Sequence, residues 1–175
     1  MAACFYFDFA APKEQSPARV LGSLLKQVVS GLEKIPANIV QAFRDQERII
    51  GGLELRLGEI VKMLQDISSS RPTFICIDAL DECMAEYRAE LLDSLEQILR
   101  KSPSTRVFLA GRLHIRDEVE KHLAGRVVAV SIRPTKNDTI RFLRARLQED
   151  TIPGAMDKSL EMDIMETILG TVPEM

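Results

Sequence analysis

Phe74-Ile75-Cys76-Ile77-Asp78-Ala79-Leu80-Asp81-Glu82-Cys83 is the stretch whose reading decides the fold. Four apolar residues run into a first carboxylate, and two more acids follow three and four positions later. The apolar run follows Ser68-Ser69-Ser70-Arg71-Pro72 and reads as a strand buried in a parallel sheet, Thr73 to Ile77. Asp78 falls where that strand leaves the core. A carboxylate there is placed to bind Mg²⁺ directly or through a coordinated water, because Mg²⁺ favours oxygen ligands and keeps several waters. Asp81 and Glu82, one short turn on, are placed to orient or deprotonate a water attacking a γ-phosphate. The same acids also fit a plain helix start, since carboxylates favour helix N-termini. Three acids spaced around Ala79-Leu80 favour the nucleotide-linked reading, provided that the surrounding chain is α/β.

Outward from this strand, the apolar pattern alternates between short runs and 3.6-residue stripes. Upstream, Cys4 to Phe9 reads as an aromatic-rich strand. Ser16-Pro17 opens a helix, with Ser16 as its cap and Pro17 in the first turn. Leu21, Leu24, Leu25, Val28, Val29 and Leu32 mark that helix's apolar face. Pro36 starts a second helical stretch through Ile39, Val40 and Phe43, which Gly51-Gly52 breaks. Leu53, Leu57, Ile60, Val61, Leu64 and Ile67 form a third stripe.

Downstream, Leu91, Leu92, Leu95, Ile98 and Leu99 mark a helix, Arg106 to Ala110 a strand, and Ile115, Val119 and Leu123 another helix. Arg126 to Ile132 reads as a further strand. Asn137 or Asp138 is positioned to cap a helix carrying Ile140, Leu143 and Leu147. Pro153-Gly154 breaks the chain before a last helix at Leu160, Ile164 and Ile168. Strands alternating with helices predict an α/β fold with a parallel sheet, whose carboxyl edge gathers ligand-binding residues.

Composition narrows the function classes. The 175 residues suit one sizeable core, with 46% apolar and 28% charged residues. A net charge of −3 gives no general pull toward nucleic acid or an anionic membrane. The basic helix face of Lys136, Arg141, Arg144 and Arg146 is followed at once by Glu149 and Asp150, so it reads as a solvated face. No run reaches the roughly 18 apolar residues of a membrane span. The apolar opening Met1 to Phe9 lacks a basic n-region and is interrupted by Asp8, so it reads as a strand and not a signal peptide. Three cysteines without C-x-x-C spacing argue against a disulfide framework and a zinc site, and point to the reducing cytoplasm. Cys76 reads as a small core residue. His114 and His122 read as surface helix residues.

"FICIDALDEC" resembles the extended Walker B motif of NACHT NTPases, in the signal-transducing STAND class, and is most similar to fungal NACHT proteins and nephrocystin-3-like N-terminal domains. "CFYFDFAAPKEQSPARVLGSLLKQVV", "STRVFLAGRLHIRDEVEKHL" and "VVAVSIRPTKNDTIRFLRARL" resemble further segments of that family. The resemblance implies a three-layer P-loop NTPase-like parallel sheet flanked by helices. It implies a partial nucleotide-binding core over 1–134, and over 135–175 the start of the helical region that follows. It implies that Asp78 serves Mg²⁺, that Asp81 assists catalysis with Glu82 in support, and that Arg112 is the sensor 1 arginine reading γ-phosphate charge. Ala110-Gly111-Arg112-Leu113 departs from the family's hydroxyl-rich pattern at that point.

The family's phosphate-binding loop, G-x-x-x-x-G-K-[ST], is not in this sequence, which has no Gly-Lys dipeptide. In the family that loop precedes the strand that opens this chain, so the expected fold is incomplete, without the first strand and the loop. The strand that would be lacking lies between Arg106–Ala110 and Arg126–Ile132, and its loss leaves Arg126–Ile132 with an unpaired apolar edge. Two functions follow as expectations. The chain is a fragment of a NACHT-type switch that uses Mg²⁺ with ATP or GTP and is inactive alone, or a non-catalytic fragment that pairs with itself, other NACHT proteins or other protein partners. Neither involves nucleic acid or membrane.

Overall fold

The computed structural model describes residues 1–48, 55–132, 135–148 and 157–171. The breaks expected at Gly51-Gly52 and Pro153-Gly154, and the stripe residue Leu53, lie outside them. The chain forms two compact units, Met1–Val127 and Val128–Met175.

The first unit has the expected α/β fold. Its sheet comprises β1 (Ala2–Tyr6), β2 (Thr73–Asp78) and β3 (Thr105–Leu109), all parallel and in that spatial order. Between β1 and β2 run α1 (Pro17–Ser30), α2 (Ala37–Arg48) and α3 (Leu57–Ser70); α4 (Ala85–Lys101) joins β2 to β3, and α5 (Arg116–His122) follows. Both crossovers step across the sheet in the same direction. Right-handed crossovers that step one way deliver their helices to one face. Accordingly α1 packs on β1, α4 packs on β3 and on α1, and α3 lies against both helices.

That face holds the core. Ile75 and Ile77 of β2 and Ala3 of β1 are buried against Leu21, Leu24 and Leu25 of α1, Leu64 of α3, and Leu91, Leu92 and Leu95 of α4. The alternate strand residues point the other way. On that side Tyr6 is 70% and Phe108 59% exposed, and Phe74 is also exposed. Cys76 belongs to this second side and is only half-buried, so it is not the core residue its apolar neighbours suggested.

Ser16 caps α1 by accepting from the Arg19 N–H at 3.4 Å, with Pro17 next in the chain as expected. The Glu59 carboxylate closes the start of α3 by accepting from the Arg56 N–H at 3.0 Å. At the free edge of β1, Gln27 of α1 spans the Cys4 backbone. Its Oε1 accepts from the Cys4 N–H at 2.9 Å, and its Nε2 donates to the Cys4 carbonyl at 2.8 Å. The glutamine side chain thereby occupies the edge groups that another strand would use.

Arg126–Ile132 is not a strand, contrary to expectation. Its apolar alternation is real, but a strand exists only through a paired neighbour, and among the described residues the sheet ends at β3. Val128, Val130 and Ile132 are 90%, 78% and 91% exposed. In the second unit α6 (Lys136–Gln148) packs against α7 (Lys158–Thr171). Thr135, not Asn137 or Asp138, caps α6. The Asp138 N–H donates to Thr135 Oγ1 at 3.2 Å, and the Asp138 carboxylate accepts from the Thr135 N–H at 3.0 Å. The Thr135 hydroxyl also donates to the Asp138 carboxylate at 2.7 Å, and this bond, with that from the Thr135 N–H, holds the Asp138 carboxyl below its usual range.

Candidate functional site

All three strands run the same way, so their carboxyl ends meet at one edge of the sheet. Asp78 ends β2 there, opposite Tyr6 of β1, and is exposed. Its carbonyl accepts from the Phe7 N–H at 3.1 Å, and its Oδ1 accepts from the Ala79 N–H at 2.8 Å. Ala79 then takes a left-handed conformation, φ 54° and ψ 39°, the sole non-glycine positive φ among the described residues. This bend swings the chain out of the strand into a single 3-10 turn, Leu80–Glu82. Leu80 is buried and anchors the turn.

The turn is fixed to the end of β3. The Ala110 N–H donates to the Ile77 carbonyl at 2.9 Å, and the Leu80 N–H donates to the Ala110 carbonyl at 3.0 Å. Beyond Ala110, the two chains approach closely enough that a Cβ on Gly111 would stand 2.8 Å from Ile115 Cδ1 and 3.3 Å from Asp81 Oδ1. Only glycine allows this contact without displacement. It lets Asp81 Oδ1 accept from the Arg112 N–H at 3.2 Å, while Asp81 Oδ2 lies 3.3 Å from Arg112 Nε. The Asp81 side chain is 8% exposed and that of Arg112 78%. The arginine therefore grips the acid by one side and presents the rest of its guanidinium to solvent.

A second arginine braces the turn from below. Arg88 of α4, itself buried, donates from Nη1 to the Cys83 carbonyl at 2.9 Å and pairs with Glu118 of α5 at 2.7 Å. Burial pushes the neighbouring Cys83 thiol up to about 11. Glu82 is half-buried, and its backbone N–H closes the 3-10 turn on the Ala79 carbonyl.

Of the four residues singled out by sequence, Asp81 and Arg112 are in direct contact, and Asp78 and Glu82 flank them on the same strand end. Three contributors escaped sequence reasoning: the bend at Ala79, the close approach at Gly111 and the Arg88 brace. A glycine directly before a candidate arginine was the available signal for the second. The others had none, because a left-handed alanine and a long-range arginine leave no local pattern.

A divalent ion bound by protein alone is not what this donor set suits: no group of three or more histidine, cysteine or acidic side chains is arranged for a metal among the described residues. One exposed carboxylate with an oxygen to spare does fit Mg²⁺ arriving with a phosphate ligand and most of its waters.

Parallel strands crossed by helices, with acids and an arginine assembled at the carboxyl edge, define an α/β domain. The chain belongs to the nephrocystin 3 N-terminal family, whose model matches residues 1–112. The matched region takes in all three strands and closes on Arg112. No curated protein matches the chain.

Proposed function

We propose that this strand end is the metal-and-γ-phosphate half of a NACHT-type, STAND-class nucleotide switch, with Asp78-Ala79-Leu80-Asp81-Glu82 as its Walker B motif. The observation that carries the reading is the contact between Asp81 and Arg112, which joins the acid after one strand to the arginine after the next at the edge where α/β sheets bind ligands. Asp78 holds the Mg²⁺ that accompanies ATP or GTP, and the ion neutralises phosphate charge when bound. Asp81, assisted by Glu82, orients the attacking water. Arg112 exposes donors toward the terminal phosphate. With no Gly-Lys pair in the sequence, the chain lacks backbone and lysine contacts for the other phosphates, so its own affinity is weak and hydrolysis by it alone is slow.

The test is Mg²⁺-dependent binding of a fluorescent ATP analogue to the folded chain, beside Asp78→Ala and with GTP as competitor. Saturable binding, weakened at least about tenfold by loss of the charged ligand, supports the reading. Absence of binding at millimolar nucleotide from folded protein removes it for this chain.

A second reading rests on the open side of the sheet. Parallel sheets ordinarily have both faces covered, whereas Tyr6, Phe74 and Phe108 are exposed here. The chain then acts as a protein-binding fragment that associates with itself or with related NACHT proteins in the cytoplasm, the acids being idle. Sedimentation over a range of concentrations tests the self-association: a mass that stays monomeric throughout removes it.

A further inference from the structure

Cys4 and Cys76 are directly opposed across β1 and β2, in the same register pair. Being opposed in a parallel ladder, they project to the same side of the sheet, the side that leaves Tyr6, Phe74 and Phe108 exposed. Cys4 is exposed and Cys76 half-buried, and burial together with the adjacent Cys4 holds the Cys76 thiol above its ordinary value. The third cysteine, Cys83, follows Asp78 in the chain and is buried, its backbone carbonyl accepting from Arg88.

From this geometry we infer that Cys4 and Cys76 form a reversible redox pair, closed to an intramolecular disulfide by a small-molecule disulfide such as oxidised glutathione. Neighbouring strands lie about 4.8 Å apart, inside the Cα window of about 4.4–6.8 Å that disulfides accept. The reaction runs in two exchanges. The exposed Cys4 sulfur attacks the glutathione disulfide, forming a mixed disulfide and releasing one glutathione thiol. The Cys76 sulfur then attacks Cys4 Sγ, closing the ring and releasing the second glutathione thiol. The two protein thiols lose two electrons and two protons, and one glutathione disulfide gains both.

Parallel side chains on facing strands do not converge as a relaxed disulfide requires, so the closed form is strained and easily reduced. That makes it a switch and not a permanent staple. Its position gives it a consequence. Closure pins β1, an edge strand, to β2 two residues before Asp78. This inference does not depend on the nucleotide reading, and its test uses no nucleotide.

The test is peptide mass mapping of the folded chain, equilibrated in mixtures of reduced and oxidised glutathione and quenched by alkylation. The expected result is a Cys4–Cys76 crosslinked peptide, lower in mass by two hydrogen atoms, with Cys83 unoxidised; excess dithiothreitol reverses it. Cys4→Ser or Cys76→Ser abolishes the crosslink, and Cys83→Ser retains it. Mapping the unsubstituted chain decides the matter even if a variant folds poorly. Glutathione trapped on Cys4 without ring closure, a crosslink involving Cys83, or crosslinks only between chains would each overturn the inference.

Discussion

Ala79 holds a backbone conformation that costs an alanine about 1 kcal/mol and a glycine almost nothing. The bend leads into the turn from which Asp81 reaches Arg112, beyond the end of β3. Ala79→Gly is therefore expected to leave the fold intact and change stability by no more than about 1 kcal/mol, since the relief of strain opposes the added freedom of the unfolded chain. Chemical denaturation checks this. Gly111 behaves oppositely. A methyl group there meets the tip of the Ile115 side chain and Asp81 Oδ1, both of which must shift, so Gly111→Ala is expected to cost about 1 kcal/mol and to loosen the Asp81–Arg112 contact. A thermal shift with no loss would show that the approach is looser than described. Cys83 supplies a pH signature. Its folded-state value of about 11 exceeds the ordinary 9.0, so the native chain keeps the thiol proton to higher pH than the unfolded chain does. The resulting stabilisation is complete below pH 9.0 and is lost as pH rises through about 11. Cys83→Ala should flatten the fall in stability across that window, measured by denaturation at several pH values. At this scale the sequence was partly legible. The acids and Arg112 stood out by type and by resemblance. Their mutual contact did not, because it joins residues 31 positions apart through a glycine whose neighbours carry no periodic signal.

Helices and strands were more legible than the contacts between them, because each is announced by a local period. The Ser16-Pro17 start, the α3 stripe ending in three serines, and the strand into Asp78 all stand where the pattern put them. The first strand differs. Its aromatic run suggested Cys4 to Phe9, whereas pairing with β2 defines Ala2–Tyr6 and leaves Phe9 exposed. Aromatic content reports a liking for sheets, and only the partner strand sets the ends. The alternation at Arg126–Ile132 shows the same limit, since a good strand pattern without a neighbour makes no strand. Arg88 carries the prediction proper to this scale. It ties the end of the acidic turn to α5 from a buried position on α4, and its loss leaves the Cys83 carbonyl and Glu118 without their partner. Arg88→Ala should cost about 2–4 kcal/mol, less than a fully buried pair because Glu118 is partly exposed. Arg88→Met, which keeps the apolar stem, should recover part of the loss. Equal costs for the two would place the whole effect in the charge.

At the scale of the whole molecule, two of the exposed apolar features among the described residues differ in physical standing. One is the open side of the sheet, where Tyr6, Phe74 and Phe108 are fixed on a rigid surface. The other is the run at Val128, Val130 and Ile132, an alternating apolar segment that forms no strand among the described residues. Scattered exposed apolar residues are ordinary, but contiguous ones mark association or aggregation surfaces. A fixed aromatic surface is suited to pack against another surface, whereas an alternating apolar segment is suited to add to a sheet edge. Gln27 already occupies the edge of β1 at Cys4, and among the described residues no strand pairs with the outer edge of β3, so the β3 edge of a second chain is the better acceptor. Val130→Lys separates the two features. Because Val130 is 78% exposed, the substitution should leave the stability of dilute, monomeric protein within about 0.5 kcal/mol. If strand addition dominates, it should abolish concentration-dependent association, since a lysine on an edge strand disfavours pairing. If the sheet surface dominates, association should survive Val130→Lys and fall with Phe108→Ser. Light scattering on the two variants at matched concentration distinguishes these outcomes. A loss of dilute stability in Val130→Lys would contradict the exposure on which the comparison rests.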